Sequence, residues 1–569
     1  MKPASSAMPA ARLVSSETAA FIDREASLSW GLSPFALVEA AGRACARRFL
    51  KFAASDAVKK SRLFRKKPVP VLVMAGPGNN GADALVMLRA LLLKGFCDEK
   101  TSAVLISKDA GGETSPRSMA ITAVTAMGAA LYLWNDTDSF SREGLVENAE
   151  LVIDGIAGTG LAGPLGGVPL EMAEALNARS AAPFVVSIDV PSGCGDDFVP
   201  GSPVLRADLT LAIEPVKRAV YTPALRSFCG RIVTVTGIFP KRLLACRDDR
   251  APGPDRRPAP ESAPALLFGW KAARALVPAV PPGAYKYSRG LVEIHACDYG
   301  SCGAGRIAAA GASAAGAGLV RLIVDDALYP VAAAGAGGVM VVPASKAEAA
   351  PETRFRPNAL LLGPGWGRDK RRLETLETAL AEEAGGLPLI LDADGILLAK
   401  DYFRLRGKTP RFNGMTILTP HPGELAALSG AEKETLLAKP RLVADMAREL
   451  NAVLVFKSHV TIIASPGPEP LAYVDGMIPA LAAGGSGDLL AGFCAGIAAR
   501  LTARLAAGDG LSTAALFSAA VAAVSLLEET GRRRKTVFSD PAELAGAAAR
   551  IAGSAWLRND VLTGDRYER

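Results

Sequence analysis

The sequence predicts an α/β protein of two domains. Short apolar runs recur along the chain between stretches of helical length, as buried strands and helices do in a layered fold. Several runs end directly in loops of glycine, asparagine or aspartate. That strand–loop–helix order is the doubly wound unit, whose ligands lie at the carboxyl ends of the strands. At 569 residues, half of them hydrophobic, the chain is too long for one ordinary domain and can fill more than one core.

Residues 11 to 60 read as helical, with a helix start at Ser33-Pro34. Val69 to Met74 reads as a buried parallel strand running into the loop Ala75-Gly76-Pro77-Gly78-Asn79-Asn80-Gly81-Ala82-Asp83. A helix follows, with Leu85, Val86, Leu88, Leu91 and Leu92 on its apolar face and Gly95 as its stop. The loop is neither G-x-G-x-x-G nor a P-loop, but its asparagines suit a hydrated cation or a ligand's polar edge. Further strands are expected at 103–106, 151–153, 184–188, 209–213 and 232–235. Two of them end in acids, Asp154 before Gly158-Thr159-Gly160 and Asp189 before Pro191-Ser192-Gly193. Either acid alone reads equally well as a helix cap. In a parallel sheet both carboxylates face the same crevice as Asn79 and Asn80.

Residues 241–264, with Arg247-Asp248-Asp249-Arg250 leading into a proline-rich run, read as an exposed linker. The second half has strands expected at 291–294, 319–324, 339–342, 359–362, 389–391, 453–456 and 461–464, separated by Ala- and Leu-rich helical stretches. Loop motifs follow these strands too: Gly363 to Gly367, the acid pair Asp392 and Asp394, and His421 held between Pro420 and Pro422. Gly484-Gly485-Ser486-Gly487-Asp488 then leads into an apolar helix. Its free backbone N–H groups and dipole attract anions, and Asp488 in the first turn suits a base.

Net charge is +7, with basic clusters at Lys59–Lys67 and Arg532–Lys535. No aromatic residues alternate with these charges, so they read as solvated surface rather than a nucleic-acid site. The eight cysteines form no C-x-x-C pair, and three scattered histidines complete no zinc set, so reduced thiols in a cytoplasmic, soluble protein are expected. The N-terminus lacks the apolar core of a signal peptide, and the run Ala514 to Leu527 is short for a membrane span.

These motifs, in this order, resemble the bifunctional NAD(P)H-hydrate repair enzymes. The family's Gly-x-Gly-Asn-Asn-Gly-Gly-Asp-Gly loop stands here as Gly76 to Ala84, with Ala82 and Ala84 replacing glycines. Its acid before a Gly-Thr-Gly turn is Asp154 to Gly160, and its Asp-x-Pro-Ser-Gly is Asp189 to Gly193. The resemblance implies a Rossmann-like three-layer epimerase domain over 1–240 and a ribokinase-like, ADP- or ATP-dependent dehydratase domain over 265–569. In the first domain it implies that Asn79, Asn80, Gly81, Ala82, Asp83, Gly158, Thr159 and Gly160 bind the hydrated dinucleotide. Asp189 would contact the ring and act as acid and base, and Asn80, Asp154 and Ser192 would hold potassium.

In the second domain it implies that Ala304, Gly367, His421 and Asp488 bind the hydrate, with Asp488 catalytic. Lys457, Ser458, His459, Val460, Thr461 and Gly487 would bind the adenine nucleotide, with magnesium. Three stretches depart from the family. Its His-Lys-Gly entry reads Tyr285-Lys286-Tyr287-Ser288-Arg289-Gly290, and the glycine-rich turn after it reads His295-Ala296-Cys297-Asp298-Tyr299-Gly300-Ser301-Cys302-Gly303-Ala304. Its Lys-Gly-Ala reads Lys457-Ser458-His459. The expected partners are NADHX or NADPHX, an adenine nucleotide and further copies of the chain, with no nucleic acid or membrane. Two other readings compete: a ribokinase-like kinase for a small alcohol, which leaves residues 11–240 unexplained, and a non-catalytic scaffold or RNA-associated protein.

Overall fold

The computed structural model describes residues 10–61, 63–107, 114–160, 163–178, 183–245, 265–348, 356–505, 510–534 and 536–557. The chain divides into two compact units, Arg12–Pro264 and Ala265–Arg569 together with the residues up to Ala11. The expected linker at 241–264 begins as a short helix, Lys241–Leu244, and beyond Ala245 lies outside the described residues.

The first unit holds seven strands: β1 (Val71–Ala75), β2 (Ser102–Ile106), β3 (Ala130–Leu133), β4 (Leu151–Gly155), β5 (Phe184–Ile188), β6 (Leu209–Ile213) and β7 (Arg231–Val235). They pair in the order β3-β2-β1-β4-β5-β6-β7, every pair parallel. The chain reverses its direction of travel across the sheet between β1 and β4, and ligands of doubly wound sheets bind outside such a switch point. Both strands are buried throughout, which is why they read as unbroken apolar runs. β3, absent from the expectations above, is an edge strand whose first three residues are exposed, so no buried run marks it.

The region expected to be wholly helical opens with a short strand, Ala11–Leu13. Helices α1 (Ser16–Leu28) and α2 (Pro34–Ala53) follow, the second capped by Ser33 as the Ser-Pro pair implies. Helix α3 (Asn79–Leu93) corrects the expected long loop. Only Gly76–Gly78 separate it from β1, so Asn79 to Asp83 lie in its first turns. Ala82 and Ala84 explain the difference, being strong helix formers that are fully buried here. Neither has positive φ, so no glycine torsion is lost at these positions. The close approach falls on Gly155 instead, where an added Cβ would sit 2.6 Å from that of Ala84.

The second unit is a mixed sheet. Its strands are β8 (Ala265–Leu267), β9 (Leu291–His295), β10 (Leu319–Val324), β11 (Met340–Pro343), β12 (Ala359–Leu362), β13 (Leu389–Leu391), β14 (Thr416–Leu418), β15 (Val453–Phe456), β16 (Val460–Ala464) and β17 (Leu471–Asp475). From β8 the order is β8-β17-β16-β15-β14-β13-β12-β9-β10-β11. The strands from β15 to β11 pair in parallel, whereas β15–β16 and β16–β17 are antiparallel hairpins.

Five helices place the site: α4 (Cys302–Ala314), α5 (Asp394–Leu405), α6 (Pro422–Ser429), α7 (Ser486–Thr502) and α8 (Thr513–Arg532). Helices α4 and α7 meet backbone to backbone. A Cβ on Gly492 would overlap the Ala308 carbonyl, and one on Gly496 the carbonyl of Ala312. That contact is why this segment is rich in alanine and glycine, and it fixes the start of α7 over the sheet. Helix α8 is long and apolar enough to cross a membrane by length and composition, but 78% of its apolar window is buried inside this unit. Its Leu516, Val521 and Leu526 are fully buried core residues, each stabilising the fold by about 1.5–3 kcal/mol.

Candidate functional sites

The first unit opens at its switch point into a cleft of about 780 Å³. Asn79, Asn80 and Asp83 from α3, Gly158 to Gly160 after β4, and Asp189 after β5 all line it, as expected. Gly78 caps α3 without a side chain, so the first N–H groups of the helix are left for a ligand. Gly81 and Ala82 do not line the cleft. Ala82 is fully buried, and a Cβ on Gly81 would overlap the Gly76 carbonyl.

Asp189 has a left-handed backbone, φ 64°, unusual for a non-glycine residue. The turn holds its Oδ1 against two donors, the Ile213 N–H at 3.1 Å and the Lys217 ammonium at 2.8 Å. Oδ2 receives no hydrogen bond from the described residues. Lys217 also donates to the Ile213 carbonyl at 3.3 Å and is slightly more buried than Asp189 itself. Asp83 lies nearby with Oδ1 buried and unpaired. Burial first, then the charges of Asp189 and Asp23, push its carboxyl well above the usual range. Burial and Asp189 likewise raise Asp23, against the pull of Lys217. Lys217 and Asp23 were not singled out from the sequence. The one available cue for Lys217 is its place four residues beyond an apolar strand.

The three residues expected to hold potassium form one hydrogen-bonded set. Asp154 is fully buried and accepts from the Ser187 hydroxyl, the Ser192 hydroxyl and N–H, and the Ile156 N–H. Burial raises its carboxyl and the serine bonds oppose that. Ser192 Oγ and Asn80 Nδ2 both lie on the Ala157 carbonyl, at 3.2 and 3.1 Å.

In the second unit the acids after β13 part company. Ala393 between them has φ 46°, and this strained turn sends Asp392 and Asp394 to different partners. Asp394 accepts from the Gly367 N–H at 2.9 Å. Gly367 also packs on Asp298, whose carboxylate would overlap a Cβ at that position. Asp392 is almost fully buried and accepts from Thr419 Oγ1 and from Lys457 Nζ, each at 2.7 Å. Burial opposes the charge on Lys457, but Asp392 and Glu424 hold it protonated above its usual range.

Asp488 stands in the first turn of α7, as the sequence implied, behind an N-cap Gly485 that supplies no side-chain cap. Its carboxyl is pushed up to about 6, by burial and then by Asp392, with Glu424 adding and Lys457 opposing. His421 is the N-cap of α6: its Nδ1 accepts from the Gly423 and Glu424 N–H groups, while the ring stays more than half exposed. Ala304 lies in the first turn of α4 beside the Gly363–Gly367 turn, where a Cβ on Gly365 would come within 3.0 Å of its own.

A second cleft of about 550 Å³ adjoins Asp488. Lys457, Ser458, His459, Thr461, Ser486 and Gly487 line it, together with Met477, Ile478, Leu481, Leu490 and Leu527. Val460, expected with this group, is fully buried in β16 and offers only its carbonyl, which accepts from Ser458 Oγ at 2.7 Å. Among the described residues no three His, Cys, Asp or Glu side chains are grouped to hold a metal.

A mixed sheet carrying an uncapped helix start, an Asp in its first turn and an adjacent apolar cleft is the build of an α/β enzyme acting on an anionic ligand; a doubly wound parallel domain precedes it. A family model described as NAD(P)H-hydrate dehydratase matches residues 294–540, and one described as YjeF-related protein N-terminus matches 34–219. The Bifunctional NAD(P)H-hydrate repair enzyme Nnr of Coxiella burnetii is 30% identical over 486 residues, covering 84% of this chain and 90% of that protein. Its namesake in Salinibacter ruber is 30% identical over 511 residues, covering 84% and 86%. A ribokinase-like superfamily protein of Enterococcus faecalis aligns at 23% identity and TM-score 0.44, over 51% of this chain and 96% of its own. The chain belongs to the family of bifunctional NAD(P)H-hydrate repair enzymes, with an epimerase domain ahead of a dehydratase domain.

Proposed function

We propose that the first cleft interconverts the R and S epimers of NADHX and NADPHX, and that the second site dehydrates the S epimer, coupled to hydrolysis of ADP or ATP. The observation that carries this reading is Asp488, a carboxyl with a pKa near 6 at an uncapped helix start beside the Lys457–Asp392 pair. A base needs such a value to be ionised at neutral pH and still accept a proton.

In the dehydratase, Asp488 takes the proton of the hydrate's hydroxyl as its oxygen attacks the terminal phosphorus. The nucleotide leaves one phosphate shorter, while the N–H groups around Gly485 and Gly487 stabilise the transferring charge. The lone pair of the ring nitrogen then expels phosphate, and the adjacent carbon loses a proton to restore the double bond. The sum is loss of water from the hydrate and its gain by the nucleotide as released phosphate.

In the epimerase, removing the proton of the same hydroxyl opens the carbon–nitrogen bond to an aldehyde, and closure on the other face inverts the carbon. Asp189 takes and returns that proton while Lys217 and the Ile213 N–H fix its position. Asn80 and Ser192, which share the Ala157 carbonyl, and Asp154, which Ser192 bonds, carry the oxygens a potassium ion takes, and the ion would order the loop that grips the dinucleotide. Magnesium would arrive on the nucleotide's phosphates as their counter-charge, leaving Asp488 to take the proton. We read the protein as a cytoplasmic homo-oligomer; the seven described cysteines, all unpaired, are consistent with a reducing compartment.

The test is recovery of reduced-nicotinamide absorbance from an R/S mixture of NADHX with ADP or ATP and magnesium. Rapid recovery of the whole mixture is expected. Recovery of the S fraction alone would remove the epimerase half of the reading. A stable phosphorylated product would favour the small-alcohol kinase.

A further inference from the structure

Glu528 lies outside every motif above, yet it lines the second cleft. It sits on α8 beside Leu527, and its carboxyl packs so closely on Gly476, the residue after β17, that a Cβ there would overlap it. Only 7% of the residue is exposed, and its Oε2 is buried without a hydrogen-bond partner. A buried carboxyl left unpaired costs about 1–3 kcal/mol, more if charged, so its partner is expected to come from outside the chain. The surroundings narrow the choice. Lys457, Ser486 and Gly487 line the cleft next to Asp488, whereas Met477, Ile478, Leu481 and Leu527 form apolar walls suited to the faces of a flat ring.

We propose that Glu528 reads the edge of the nucleotide base and selects adenine. Burial first, opposed by Arg532 one turn along α8 and reinforced by Asp475 of β17, pushes its carboxyl up to about 8, so it is protonated at neutral pH. A protonated carboxyl offers one donor beside one acceptor. Adenine presents the complement, a ring nitrogen acceptor next to the 6-amino donor. On the edge that carries N7, guanine offers two acceptors, N7 and O6, where adenine offers N7 and the 6-amino donor, so one group is left unpaired. Glutamine carries the same donor and acceptor pair without the proton, so it is the conservative replacement.

The inference rests on the nucleotide-dependent dehydratase reading, and the experiment separates the two. The full-length protein is assayed for restored NADH from S-NADHX with ADP, GDP and purine riboside diphosphate, which lacks the 6-amino group. Wild type, Glu528→Gln and Glu528→Leu are compared, each checked by thermal melting. Wild type is expected to favour ADP over both analogues by about tenfold or more in KM, with kcat within about twofold. Glu528→Gln should keep that preference, and Glu528→Leu should lose it. A folded Glu528→Leu that keeps the wild-type KM and ADP-to-GDP ratio overturns the proposal alone. Equal use of ADP and purine riboside diphosphate by wild type does so without any variant. No turnover of any nucleotide by wild type would instead remove the reading beneath it.

Discussion

Asp189 and Asp488 stand in comparable places, each at the carboxyl edge of a parallel sheet with a lysine near, yet the lysine is used differently. Lys217 bonds Asp189 itself at 2.8 Å, so the epimerase acid is clamped. Lys457 bonds Asp392 instead, at 2.7 Å, and reaches Asp488 only through space. The dehydratase carboxyl is therefore left with a raised pKa and freedom to take a proton. A direct ion pair orients a carboxylate, and one withheld by a neighbouring acid makes it a base near neutral pH.

The sharpest break of that comparison is Asp488→Asn. Dehydration in the coupled assay should fall by about 10²–10⁴ in kcat, with epimerisation unchanged. Retained dehydration would show that Asp488 is no base. Lys217→Met should come next. It strands the buried Asp189 charge, so chemical denaturation should register a loss of about 3–5 kcal/mol in the first unit, and epimerisation should fail while dehydration survives. Adding Asp189→Asn should restore much of the stability but none of the activity, and a double-mutant cycle without such coupling would refute the clamp.

Acid titration sharpens the contrast at Asp488. Dehydratase kcat should rise with pH through about 6, losing about tenfold per unit below it. Because the folded pKa lies above the unfolded 3.8, the folded state holds the extra proton between those values, and stability falls as pH climbs from about 4 to 6. Asp488→Asn should therefore melt a few degrees higher than wild type at pH 7 and no higher at pH 4. The smallest change is His421→Ala. Losing the cap of α6 should cost about 1 kcal/mol in unfolding free energy and raise the KM for the hydrate without touching epimerisation. An unaltered KM would make the histidine purely a cap.

Most of both sheets was legible because their central strands are buried on both faces and read as unbroken apolar runs. The edge strand β3 was not, being exposed on Ala130, Leu131 and Tyr132, and β8 and β17 of the second sheet were not expected either. The loop motifs gave Asn80, Asp154, Asp189, Ser192 and Asp488, since glycine- and proline-bound acids at strand ends mark a parallel sheet's ligand edge. The same reasoning placed Asn79 to Asp83 in a loop, although Ala82 and Ala84 let α3 begin at Asn79.

The chain's own pattern determined two α/β domains, the order of their motifs and the acids at their strand ends, because periodicity, turn chemistry and spacing are local. Which charges meet was decided only by tertiary packing. Lys217 reaches Asp189 across 28 residues, Lys457 reaches Asp392 across 65, and Glu528 enters the second cleft from the C-terminal end of a helix. An ion pair or a desolvated carboxyl depends on distance and burial, and neither is written at any one position of the sequence.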